Sequence, residues 1–306
     1  MALFHGVLLC CMAASVASFF SKKALSKREK RSIERLRKAL RKSATSGSFR
    51  TWGTEVSCFR GKGRWASGPD RPGKWGFKQT SDLVGSFVKS MHGGGYDFKV
   101  TKSTQMVTST GDTKETAKIV TETLLRGTKA FMRFKKAPQV FRQVFPNRWF
   151  DVKNHDLGDL VDVEGLAANM RLFDESELDE RKTMGVTVTS TVMEDGTRAK
   201  CFRVAVNSAI VKKIDKDKNV TPGSLMGEVV SEGFMDDVYG GANAWTEYLV
   251  SEREGLIVGI QSKARSSRVN EESGDWECDV EVRRSLRVYD YDQPMSLPDP
   301  AASGAV

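Results

Sequence analysis

Trp276 to Val288, near the C-terminus, constrains this chain more than any other stretch. Trp276, Cys278, Val280, Val282, Leu286 and Val288 fall on one parity, and Glu277, Asp279, Glu281, Arg283, Ser285 and Arg287 on the other. Successive side chains of a β-strand point to opposite faces, so the run reads as one long strand with an apolar face and a charged, solvated one. Arg284 alone breaks the apolar parity. Such one-sided exposure belongs to antiparallel sheets, because parallel strands are covered on both faces. At about 3.3 Å per residue the strand is roughly 40 Å long, and a strand of that length in a twisted sheet coils. The inner face of the sheet is therefore expected to be concave.

The 306 residues suffice for one large or two ordinary domains, and 39% hydrophobic content supports a core. The formal charge is +9, from 48 basic and 39 acidic residues. Residues 1–50 hold 12 of the bases but only 2 of the acids, leaving 36 against 37 in the rest. Any attraction to anionic lipid or nucleic acid is thus a property of the N-terminal segment. Cys58, Cys201 and Cys278 lie in strand-like sequence and read as free thiols, and no cysteine spacing suits a metal.

Residues 1–20 are apolar and are followed by Lys22-Lys23. Three readings stand side by side: a secretory signal with Ser15-Val16-Ala17 as its cleavage site, a membrane anchor of just sufficient length, or a start placed too late. Residues 21–44 form a basic amphipathic helix, Lys22–Ser43 at its centre, with Leu25, Ile33, Leu36, Ala39 and Leu40 at helical spacing. This helix either caps the sheet or holds the chain electrostatically on an anionic membrane surface. Nucleic acid is the weaker partner, since the run lacks stacking aromatics.

Residues 45–295 carry the main domain. Ser48–Phe59 is the first strand, with Trp52, Thr54, Val56 and Cys58 on its apolar parity, and Arg60–Lys78 a glycine- and proline-rich connection. Asp82–Met91 and Tyr96–Val107 flank the His92-Gly93-Gly94-Gly95 turn. Ala117–Leu125 and Lys129–Phe134 flank Arg126-Gly127. Pro138–Phe145 and Leu157–Phe173 are helical, with Arg148–Val152 a strand between them. Hairpins follow around Asp195-Gly196 and around Glu252–Gly255, with Lys212–Ala244 an insertion between them. Residues 296–306 are expected to be a disordered tail. Strands, two helical segments, then strands again give an α+β class: one large curved antiparallel sheet, a half-barrel, with helices over its concave face and the basic helix in front.

This order resembles the LolA/LppX/LprG-type family of bacterial envelope lipid and lipoprotein carriers. The resemblance is carried by Lys129–Phe134 through Pro138–Phe145 to Arg148–Val152, by the Asp195-Gly196 hairpin with Trp245–Ile260, and by the ending Val288-Tyr289-Asp290-Tyr291-Asp292-Gln293-Pro294. It implies an extracytoplasmic protein at the cell envelope, secreted or anchored, while the anchor reading leaves the cytoplasmic side open. A lipoprotein member would carry a small residue before its modified cysteine. Cys10 follows Val7-Leu8-Leu9 and Cys11 follows Cys10, so these two are candidate attachment points in a poor lipobox.

No Walker loop, dinucleotide fingerprint, H-E-x-x-H or G-x-S-x-G elbow occurs, and His5, His92 and His155 have no triad context. The reading is non-catalytic, with no metal and no cofactor. What remains is an apolar concavity lined by Phe131, Phe134, Val140, Phe141, Val144, Phe145, Trp149, Leu160, Leu166 and Met170. It suits a carrier or sensor of lipid or another apolar ligand. The alternative is a structural or interaction protein with a packed core, whose basic helix docks on an acidic partner, a membrane surface or nucleic acid.

Overall fold

The computed structural model describes residues 25–63, 73–91, 95–110, 112–138, 147–154, 172–178, 183–207, 243–269 and 276–300. They form one helix, α1 (Lys27–Ala44), and eleven strands: β1 (Ser48–Gly63), β2 (Gly73–Lys89), β3 (Tyr96–Thr110), β4 (Thr113–Arg126), β5 (Lys129–Lys136), β6 (Phe150–Asp151), β7 (Thr183–Val192), β8 (Arg198–Asn207), β9 (Asn243–Ser251), β10 (Ile257–Val269) and β11 (Trp276–Tyr289). Short 3₁₀ turns lie at Val152–Asn154 and Glu175–Leu178.

All the strands join one antiparallel sheet in the order β6-β5-β4-β3-β2-β1-β11-β10-β9-β8-β7. It is two meanders sewn together where the first strand meets the last, from Arg50↔Tyr289 to Gly63↔Trp276. The sheet does not close, and as an open half-barrel it matches the expected α+β architecture. Within each meander the turns follow glycines that adopt positive φ, Gly127 at 57°, Gly196 at 82° and Gly255 at 66°. Only glycine enters that region without strain, which is why these three hairpins are legible in the sequence.

The helix α1 begins with a capping box, in which the Ser26 hydroxyl accepts from the Glu29 N–H and the Glu29 carboxylate accepts from the Ser26 N–H. It lies on the inner face near β7, β9 and β10, burying Ile33, Leu36 and Leu40 completely. Three of its cations are spent on the protein: Arg37 donates to the Leu178 carbonyl at 3.0 Å, Arg41 to Glu175 at 2.8 Å and Lys42 to the Glu254 carbonyl at 2.5 Å. Lys27, Arg28, Arg31, Arg35 and Lys38 stay exposed.

Several expectations need correction. The inner face of β1 is not the Trp52 parity but Phe49, Thr51, Gly53, Glu55 and Ser57, all buried, while Trp52 is 52% exposed on the outside. The size of the apolar side chains does not decide the face here; pairing with β2 and β11 does. Gly53 is needed beside Leu286, since a Cβ there would come within 2.0 Å of the Ser285 carbonyl oxygen. The Arg60–Lys78 connection shrinks to residues 64–72, because β1 and β2 pair without a break out to Gly63↔Gly73. Backbone pairing satisfies the N–H and C=O groups that a loop would leave to water. Arg148–Val152 shortens to β6 and a 3₁₀ turn.

The tail is also ordered further than expected. The Ser48 hydroxyl donates to the Gln293 carbonyl at 2.6 Å, the Asp292 N–H to the Ser48 carbonyl at 2.9 Å, and Arg126 to the Leu297 carbonyl at 3.0 Å. Residues 296–300 are therefore tied across the end of the sheet, Pro300 being buried; residues 301–306 are outside the described residues.

Candidate functional site

The concave face has two zones. At the helix end Phe49, Phe87 and Phe98 come from β1, β2 and β3, while Tyr248, Ile260, Leu286 and Val288 come from β9 to β11, and all seven join one buried cluster with α1. Phe49 is its hub, stacked on Phe87 and in contact with the rings of Tyr96, Phe173 and Tyr291. Phe173 belongs to the chain between β6 and β7, which links the two edges of the sheet, so part of that crossover lies on the inner face.

Farther along the strands the register sets six polar side chains in one row across six adjacent strands. Thr246 of β9 pairs with Ser262 of β10, Ser262 with Arg284 of β11, and Arg284 with Glu55 of β1. Glu55 then pairs with Ser81 of β2, and Ser81 with Thr104 of β3. Ser81 and Thr104 share a hydrogen bond of 3.0 Å. Ser262, Arg284, Glu55 and Ser81 are buried. The Glu55 carboxylate is engaged by Lys102 of β3 at 3.3 Å. Arg284, only 7% exposed, makes no ion pair among the described residues, and its Nε has no hydrogen-bond partner. The break in the alternation of Trp276–Val288 is thus a buried guanidinium at the middle of the concave face. Sequence reasoning noticed Arg284 but missed the row, since only strand pairing brings residues 55, 81, 104, 246, 262 and 284 together.

The expected lining residues divide. Phe134 is on the inner side, its ring parallel to that of buried Phe150 at 6.3 Å. Phe131 and Trp149 stand on the opposite side of the sheet. They alternate with Met132 and Phe150, which belong to the core, and Trp149 lies under the Arg133 guanidinium at 4.7 Å. Val140, Phe141, Val144, Phe145, Leu160, Leu166, Met170, Cys10 and Cys11 are outside the described residues. Cys58 and Cys201 are free and half-buried, as expected for small hydrophobes.

On that outer side Glu122 is almost fully buried among cations. Lys99 approaches at 2.9 Å and Lys135 at 3.6 Å, Arg133 pairs with it closely, and the Thr101 hydroxyl reaches it at 3.3 Å. Burial pushes its carboxyl pKa up, but the hydrogen bonds from Lys99 and Arg133 outweigh this and leave it below the ordinary value. The arrangement is an ion cluster that holds β3, β4 and β5 in register. Among the described residues no group of His, Cys, Asp and Glu is placed to hold a metal, and no helix is long and apolar enough to cross a membrane.

No family model matches the chain, and no curated protein does. Among solved structures it is similar to LprF from Mycobacterium bovis, at 8% identity over 91% of this chain and 99% of that one, with a TM-score of 0.42. A DUF1329 family protein from Desulfovibrio piger is similar at 12% identity over 89% and 96% of the two chains, with a TM-score of 0.25. Lipovitellin is similar at 8% identity, covering 83% of this chain and 26% of that one, with a TM-score of 0.35.

Proposed function

We infer that this protein is a non-catalytic carrier or sensor that holds a lipid or another apolar ligand against the concave face of its half-barrel, at the cell envelope. The observation that carries this reading is the make-up of that face, where a buried aromatic cluster gives way farther along the strands to the polar row of Thr246, Ser262, Arg284, Glu55, Ser81 and Thr104. A concave sheet with an apolar floor and a few placed polar groups is the usual form of a site for an apolar molecule. Phe134 and Phe150 belong to its wall, and the exposed Arg28, Arg31, Arg35 and Lys38 of α1 give the protein a surface for an anionic membrane.

A packed structural protein is the second reading, favoured by the complete burial of Ile33, Leu36 and Leu40 under the sheet's aromatic end. Native mass spectrometry of the purified full chain separates the two. A carrier brings co-purified lipid mass and, once stripped, takes up a fluorescent fatty-acid probe saturably. Bare protein that binds no probe leaves the packed reading standing and ends the carrier one.

A further inference from the structure

We propose that Arg284 is the docking point for a singly charged anionic head, a carboxylate, at the end of a long-chain amphiphile held in the concave face. The proposal rests on the carrier reading and adds to it the chemical class of the ligand.

A guanidinium is a permanent cation in proteins. A buried charge without a partner is costly, and a bound anion would remove that cost. The natural protein partner would be Glu55, which faces Arg284 across the β1–β11 pair. That carboxylate is instead drawn to Lys102 on the far side, at 3.3 Å. Arg284 is left with its Nε free of any acceptor and no carboxylate at ion-pair distance among the described residues. On the β10 side its neighbours in the row are hydroxyls, Ser262 and then Thr246, which donate to a carboxylate oxygen as readily as to water, while Glu55 on the β1 side is engaged by Lys102.

The position suits an amphiphile better than a small free anion. Along β11 the row is bordered by the closed cluster of Leu286 and Val288 toward the aromatic end and by half-buried Val282 on the other side, so apolar wall beside the polar anchor begins at Val282. A carboxylate meets the planar fork of arginine with two oxygens, and the chain attached to it can follow the apolar side chains. A neutral ligand of the same length leaves the guanidinium unpaired.

The test compares tetradecanoate with its methyl ester, which share the chain and differ in the charge, by displacement of a fluorescent fatty-acid probe from the delipidated full-length protein. Wild type is expected to bind the acid about tenfold or more tighter than the ester, as one buried charge-assisted contact supplies. Arg284→Met should lose the preference for the acid, binding acid and ester within twofold of one another. Its midpoint in urea should rise or hold, since an unpaired buried charge has gone. Arg284→Lys, which keeps the charge without the planar fork, should keep a reduced preference, and provides the comparison should the methionine variant fail to fold. Acid and ester binding within twofold in wild type, or a full preference surviving in Arg284→Met, overturns the head-group assignment while leaving the carrier reading intact. No uptake of either ligand by wild type overturns both.

Discussion

Phe49 and Phe87 stack with ring centroids 4.5 Å apart and planes within 8°, directly opposite one another on β1 and β2. The pair sits where three separate parts of the chain meet, since Phe49 also touches Phe173 from the crossover and Tyr291 from the C-terminal segment. Both rings are almost wholly buried. Phe49→Ala should therefore cost about 3–5 kcal/mol, the range for a phenylalanine truncated in a well-packed core, read from urea unfolding. A loss under about 1 kcal/mol would mean that the cluster is loosely packed and contributes little to holding these segments together.

Tyr96 links the helix to the sheet. Its hydroxyl donates among the carbonyls of Ala44, at 3.0 Å, and Ser46, at 2.9 Å, at the C-terminus of α1. Burial, with a smaller contribution from Asp292, pushes its pKa up to about 12. The folded state thus holds the proton more tightly than the unfolded chain, whose tyrosine titrates near its ordinary value of about 10. The stabilisation is whole below about pH 10 and is lost as the pH rises through about 12. Tyr291, hydrogen-bonded to the Ile257 carbonyl, is raised in the same direction by burial. Tyr96→Phe should flatten the alkaline fall in unfolding free energy, and Tyr96→Phe with Tyr291→Phe should flatten it further. Identical alkaline limbs for wild type and the double variant would remove both tyrosines from the account.

Glu122 has the opposite sign. Its folded-state pKa is depressed, so its contribution is present above the ordinary carboxylate value and disappears as the pH falls through the folded one. Glu122→Gln should lose about 2 kcal/mol at neutral pH, as expected when hydrogen bonds to a charged group are removed. Its stability should also fall less steeply than that of wild type when acidified. Parallel acid limbs for the two proteins would show that the carboxylate is not the group being titrated.

The two faces of α1 should separate in experiment. Leu36→Ala should cost about 2–5 kcal/mol, because the side chain is fully buried against the sheet. Replacing Arg28, Arg31, Arg35 and Lys38 together by Gln should leave the denaturation midpoint nearly unchanged. On the membrane reading it should weaken sedimentation with anionic vesicles at low salt, each charge contributing about 1 kcal/mol. Vesicle binding equal to that of wild type would end that role for the helix.

The alternation of Trp276–Val288 by itself determines the longest element of the C-terminal half, and β11 spans Trp276–Tyr289. The helix is equally plain: five apolar side chains lie at helical spacing in a basic run, and α1 buries Ile33, Leu36, Ala39 and Leu40 from that set. The turns at Gly127, Gly196 and Gly255 can be placed because a positive φ demands a residue without a Cβ. These are local effects, decided by side-chain direction and backbone sterics over a few residues. What the tertiary structure alone decided depends on pairing between distant segments. Period two shows that a strand has two faces, but on β1 Trp52 and Val56 lie outside, because register with β2 and β11 puts Gly53 beside Leu286 and Glu55 between Arg284 and Ser81. The same rule separates Phe134 from Phe131, neighbours in composition but on opposite sides of one sheet. The polar row exists only across six strands, and the row turns Arg284 from an apparent flaw in a pattern into a buried side chain whose Nε lacks an acceptor, because burial and unmet hydrogen bonds are properties of the assembled sheet.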